Sequence, residues 1–223
     1  MSKVSISAVL KERIGSSFNL EKKDLGNDSH LHKKGFHFYP ECYEIKGLGH
    51  LCILKMKGML GLMKMESIVL SITSKDVPLF NIDYVKAMGK ETNIIELYNT
   101  NLEPYSEELL NKFASFKSHD NDLEEYVANE RHWYDDLLYS CSYHKTGKKL
   151  TTRFSDVNSK YLDEFINQVN NMPVCDLIDK ELKVEEFANK LYQEGGSAVN
   201  MFKKLFGDEV AKKMVVTYMY GMK

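Results

Sequence analysis

Cysteine is scarce in this chain, and none of it is paired in sequence. Cys42, Cys52, Cys141 and Cys175 lie far apart with no CxxC. That spacing argues against a zinc ribbon, a chain-borne iron–sulfur cluster and a disulfide framework, and reads as free thiols in a reducing cytoplasm. Excess charge of one sign is missing too. Thirty Lys and Arg against 32 Asp and Glu leave a net charge of −2, so no global field draws nucleic acid or an anionic membrane. No apolar run is long enough to span a bilayer, and the opening MSKVSISAVLKERIG has no apolar signal core. The expectation is a soluble, cytoplasmic protein without nucleic-acid or membrane partners. Phosphate loops are absent: no GxGxxG occurs, and Gly58 and Gly61 lack the lysine and following helix of a P-loop. His30, His32 and His37 are irregularly spaced with no accompanying cysteine or carboxylate pattern, so they read as a solvated loop and no metal is expected.

What is present suits a substantial core: 223 residues, 43% of them hydrophobic. Val4, Ile6, Val9, Leu10 and Ile14 form the apolar stripe of a short helix, followed by a polar loop over 21–34. From Gly35 the grain is extended: Phe36–Tyr39 with Cys42–Ile45, then His50–Met56, Met65–Thr73, the stretch after Pro78, and Asn93–Tyr98. Connections this short predict an antiparallel meander. After Pro104 the period turns helical, through Leu109, Leu110, Phe113 and Phe116. His119–Glu125 reads as a polar connector and Trp133–Tyr143 as a strand returning to the sheet. Ser155 or Asp156 can cap a helix that turns Tyr161, Leu162, Phe165, Ile166 and Val169 inward. Two more helices follow, over 183–193 and from about Val199 past Gly207 to Tyr218, with Gly195-Gly196 between them. Strands first and helices later predict an α+β fold, a three-layer α/β/α sandwich with a mainly antiparallel central sheet. No repeat or linker divides it, so residues 1–223 read as one domain, with 1–34 packed on it.

One carboxylate stands out, Asp83 in VPLFNIDYV. At period two, Val77, Leu79, Asn81, Asp83 and Val85 share one face, and Pro78, Phe80, Ile82 and Tyr84 the other. If the Asp83 face is buried, desolvation raises its pKa and makes it a proton donor near neutral pH. If it is solvated, Asp83 is a strand-end or turn-capping residue.

Three stretches in order resemble the ferredoxin-dependent bilin reductases: DVPLFNIDYV between ESIVLSIT and NIIELYN; HWYDDLLYSCSYHK followed by YLDEFINQV; and SAVNMFKKLFGDEVAKKMVVTYMY. The resemblance spans roughly residues 35–220. It implies an open-chain tetrapyrrole held between the sheet and the C-terminal helices, and no cofactor bound to the chain. Reduced ferredoxin (or flavodoxin) would deliver electrons singly while side-chain acids supply protons. Asp83 matches the family's central aspartate, and His50 is a second proton-handling candidate, although a lone histidine is more often structural. The ligand-facing set it implies is Cys52, Leu70, Phe80, Asn81, Trp133 and Gly196, with Trp133 alternatively in the core. Arg131 and His132, beside Trp133, are of the type that meets propionates, though their sequence position does not fix that role. Lys145, Lys148, Lys149 and Arg153 are either a docking patch for an acidic ferredoxin or a solvated basic loop.

The departures from the family pattern matter. A histidine that some members carry on the preceding strand falls here near Val69 or Leu70. The glutamate of their His-x-Glu pair is Cys52, and a second aspartate before the final helices is replaced at Gly195-Gly196. The alternatives are therefore a pigment-binding protein without catalysis, or an interaction domain whose pocket is filled by Met56, Met59 and Met63.

Overall fold

The computed structural model describes residues 5–222; Val4 lies outside the described residues. In chain order the elements are α1 (Ile6–Ser17), β1 (Leu20–Lys22), β2 (Leu31–Lys33), β3 (Phe36–Ile45), β4 (Gly49–Gly58), β5 (Met63–Ile72), β6 (Leu79–Ala87) and β7 (Lys90–Tyr98). Then come α2 (Glu107–Ser118), β8 (Glu124–Glu125), β9 (Tyr143–Gly147), α3 (Thr151–Asn171), α4 (Leu177–Glu194), α5 (Ser197–Phe206), α6 (Asp208–Lys212) and a π-helical turn, Lys213–Met219.

The strands form one antiparallel sheet in the order β1-β3-β4-β5-β6-β7-β9-β8, with β2 also on β3. From β3 to β7 it is the expected meander. Glycine is required where β4 begins: a Cβ at Gly49 would sit 2.1 Å from the Ser71 carbonyl oxygen.

Alternation along the strands sorts two cores. Leu51, Ile53, Ile68, Leu70, Phe80, Ile82 and Ile95 meet α1, α2 and α3, with the Phe80 ring stacked on Phe165 at 4.6 Å. Phe38, Cys52, Leu54, Val69, Leu79 and Tyr98 meet α4, α5, α6 and the π turn. The result is the three-layer α/β/α sandwich.

Several local expectations are corrected. Residues 133–137 wind into a 3₁₀ turn, and the returning strand is confined to β9. Asp135 explains this: its carboxylate accepts the His132 N–H at 2.8 Å, which favours a helical start over a ladder. The 21–34 segment is not only loop, since β1 and β2 both add to the free edge of β3. There His30, His32 and His37 stack against one another and on Tyr39, with His30–His37 centroids 5.4 Å apart. α3 begins at Thr151, before the Ser155 and Asp156 caps, because Glu91 on β7 accepts the Leu150 N–H and the Thr151 hydroxyl from across the sheet. α4 begins at Leu177, six residues earlier than its apolar period suggests, with the Asp176 side chain accepting the Asp179 N–H.

Candidate active site

β6 leaves its Pro78 turn with Leu79, Asn81, Asp83 and Val85 facing the C-terminal helices, as alternation requires. Val77 departs from that pattern: it lies before the strand and packs in the opposite core. Above this face, between the sheet and α5, is a cavity of about 670 Å³. Sites for small organic ligands run to about 300–1,000 Å³. Its floor is Met56, Met63, Met65, Asn81, Asp83 and Glu96. Val199 and Met201 of α5, Tyr134 of the 3₁₀ turn, and Met219 and Tyr220 of the C-terminal turn close the other sides. Met56 and Met63 line this space without filling it, and Met59 sits exposed in the β4–β5 turn.

The chemistry gathers around Asp83. Its side chain is half-buried, but the surface it keeps faces the cavity, so it is poorly solvated. Desolvation pushes the carboxyl up to about 6, and the nearby negative Glu96 pushes the same way. Hydrogen bonds from Ser67, its cross-strand neighbour, and from Asn81 oppose the rise. Asn81 Nδ2 donates to Asp83 Oδ2 at 2.9 Å and approaches Glu96 Oε2 at 3.4 Å, so one amide group links the two carboxyls. Its Oδ1 is buried without a partner. The Tyr98 hydroxyl donates to Glu96 Oε2, and His144 Nε2 lies 3.3 Å from Glu96 Oε1, though not aligned for a hydrogen bond. Burial, reinforced by the Glu96 and Asp83 charges, holds the Tyr98, Tyr134 and Tyr220 phenols above their ordinary range. They are therefore hydrogen-bond donors and not acids near neutral pH. The Asp83 carboxyl, at about 6, changes its protonation close to neutrality.

Glu96 and His144 escaped the sequence reading, as did the three tyrosines. A signal for Glu96 existed: in NIIELY it alternates with Ile94 and Tyr98, and the β6–β7 register sets it directly opposite Asn81. Nothing local marks Tyr134 or Tyr220.

The remaining sequence candidates divide by face and by cover. Gly196 borders the cavity; a Cβ there would lie 3.2 Å from Tyr134 and 3.3 Å from Leu191. Leu70 and Phe80 point to the other side of the sheet, because both fall on the alternate phase of β5 and β6. His50 is buried beneath Gly221, with Nε2 2.8 Å from the Tyr218 carbonyl oxygen. Its cross-strand neighbour Ser71 is four residues from Ser67, which puts His50 about 13 Å or more from Asp83 along the sheet. Cys52 is covered in the same way, opposite Cys42, whose thiol donates to the same carbonyl at 3.3 Å. Trp133 packs on Phe187 with the Lys190 ammonium 4.6 Å above its ring, outside the cavity wall. Arg131 and His132 do border the cavity. The basic group does not form one patch. Lys145 is 2% exposed and donates to Glu125, and Arg153 is engaged by Asp120 and Asp122, leaving Lys148 and Lys149 exposed.

A second depression, about 740 Å³, lies over Asp76 and Met172–Asp176. Its Asp76 carboxylate is committed to the Leu102 and Glu103 N–H groups and to the buried Lys180 ammonium at 3.1 Å, which makes it an anchor for α4. Among the described residues, no three His, Cys, Asp or Glu are arranged to hold a metal ion, and no helix is long and apolar enough to cross a membrane.

Sheet, helical layers and cleft together define an α/β/α sandwich of the kind found in a pigment-bound enzyme structure. That structure is phytochromobilin synthase from tomato in complex with biliverdin, which matches 97% of this chain and 82% of its own at a TM-score of 0.75 and 12% identity. The likeness is one of fold. No family model and no curated protein matches the chain.

Proposed function

We propose that the cleft binds a linear tetrapyrrole and that the protein reduces it, taking electrons one at a time from an external ferredoxin-like or flavodoxin-like donor and protons from Asp83. The observation that carries this reading is the Asp83 carboxyl, which faces a ligand-sized cavity and titrates near neutrality. Each electron adds negative charge to the pigment, and a proton from Asp83 neutralises it. A double bond is reduced after two electrons and two protons. Asn81 holds the Asp83 carboxyl in place, and Asp83 is reprotonated by water entering the open cavity. Arg131 and His132 at the rim suit the pigment's propionates. The biliverdin in the tomato enzyme supports the choice of ligand class.

A second reading, pigment binding without reduction, is favoured by one observation. His50 and Cys52, which stand where members of the resembling family keep a His-x-Glu pair, are sealed away from the cavity. Two measurements decide. Titration with biliverdin should shift and sharpen its visible band. Anaerobic addition of a photoreduced ferredoxin system should then bleach that band in the wild type, and more slowly in Asp83→Asn. A shifted band that survives reductant unchanged would leave only the binding reading, and no shift at all would end both.

A further inference from the structure

The net charge of −2 conceals a local asymmetry. The β2–β3, β4–β5 and β6–β7 turns and the turn after β9 all fall at one end of the antiparallel sheet. That end carries seven exposed cations, Lys33, Lys34, Lys57, Lys64, Lys90, Lys148 and Lys149, of which Lys90 is paired with Glu124. Lys57 stands directly opposite Lys64 across β4–β5, and Lys64 directly opposite Lys86 across β5–β6. Like charges so placed are destabilising. Glu91 neutralises Lys86, and Glu41 neutralises Lys55 on the next row; among the described residues neither Lys57 nor Lys64 has a carboxylate partner. The row is electrostatically unfinished.

Beyond the lysines the turns are apolar where turns are ordinarily polar. Leu60 is fully exposed, as are most of Leu62 and Met88, and the Met88 N–H bonds to the Leu62 carbonyl at 3.2 Å, so the two tips form one protrusion. Met59, Leu60 and Met88 all hold left-handed backbone, φ 51°, 54° and 49°, which side-chain-bearing residues rarely adopt. Exposed apolar groups gathered in this way mark an interaction surface.

We infer that this end of the sheet docks on an anionic lipid surface, with Leu60, Leu62 and Met88 entering the acyl boundary and the lysines meeting headgroup phosphates. The Lys57–Lys64 row stands two or three residues behind the tip, about 7–10 Å along the strands. Interfacial elements bury to about 5–10 Å, so the lysines reach the phosphates as the tips reach the acyl chains. A small acidic protein would answer the charge, but the protruding Leu60 would hold a flat protein face away from the lysines. Neither Asp83 nor Glu96 takes part, so the inference stands apart from pigment reduction.

The full chain, mixed with vesicles of phosphatidylcholine alone or with phosphatidylserine and then sedimented, tests it. The wild type should pellet with the anionic vesicles and stay in solution with the neutral ones. The Lys57→Gln/Lys64→Gln pair should weaken binding about 25-fold, at about fivefold per lysine. Leu60→Ser/Leu62→Ser should weaken it about tenfold or more at unchanged far-ultraviolet circular dichroism. Failure of the wild type to pellet with anionic vesicles at low salt overturns the inference, as does either double variant pelleting like the wild type. Retention on a polyglutamate column without vesicle binding also overturns it and assigns this end to an acidic protein.

Discussion

Replacing Asp83 by Asn isolates the one group on which the proposed chemistry depends, and it leaves a signature in stability before any pigment is added. The carboxyl's ordinary value is 3.8 and in the folded protein it rises to about 6. Between those values the native state holds a proton that the unfolded chain has lost, so unfolding free energy falls as pH rises through this window. The contribution is fully present below 3.8 and lost above about 6. Two pKa units correspond to about 3 kcal/mol, and water in the open cavity screens part of it, which leaves about 1–2 kcal/mol. Asn has the same shape, does not titrate, and removes the repulsion with Glu96. Urea unfolding from pH 4 to 8 should therefore show Asp83→Asn close to wild type at the acid end and more stable by about 1–2 kcal/mol at pH 7.5. A constant difference across that range would mean that Asp83 is ionised throughout, and the proton-donor role would fall with it.

Other perturbations separate the site from its support. Gly196→Val should weaken biliverdin binding about tenfold or more in an absorbance titration, since the added methyls meet Tyr134 and Leu191, while the urea midpoint moves little because the residue's backbone is extended. Phe80→Ala should cost about 3–5 kcal/mol in urea by removing its stack on Phe165, yet leave pigment affinity within a fewfold, as the ring lies on the far side of the sheet. Lys180→Met should cost about 3 kcal/mol or more in the same assay. It leaves the Val77 and Thr100 carbonyls and part of Asp76 without the ammonium that donates to all three. Tyr98→Phe should cost about 1–2 kcal/mol, the loss of a buried donor to a carboxylate.

The meander was legible because each strand alternates cleanly and each turn is short, and the same alternation set Asp83 on the face opposite Phe80. It also contained the correction to Phe80 and Leu70: period two had already put Phe80 on the other face, and the resemblance drew it back toward the ligand. Trp133 misled because aromatic and aliphatic residues dominate WYDDLLYSCSY, and the aspartate that starts the 3₁₀ turn, Asp135, acts through one backbone hydrogen bond. Lys145 and Arg153 read as a patch because sequence shows charge without partners. Their partners, Glu125, Asp120 and Asp122, lie 20 to 33 residues away and arrive only when the connector after α2 folds back along β9. Tyr134 and Tyr220 were illegible for the same reason, being brought to the cavity by packing alone.

The departures from the resembling family take on a different weight once the strands are in register. A chain that lacks a glutamate at Cys52 and an aspartate at Gly196 looks short of acids, yet the acid count of a cleft is set by faces and not by motifs. Glu96 sits one strand over from Asp83 and shares Asn81 with it, where a cross-strand pair of like charges would repel. That repulsion is one of the causes that lift Asp83 toward neutrality, so Glu96 tunes its neighbour whether or not it passes a proton itself. On the proposed reading such a cleft works with one carboxyl, Asp83, lifted first by desolvation and further by the charge of a Glu96 that Tyr98 and Asn81 steady through hydrogen bonds. It also needs no carboxylate near His50, where the C-terminal segment closes the sheet and water is excluded. On the proposed reading, the acid lost from β4 matters less than the one that β7 supplies.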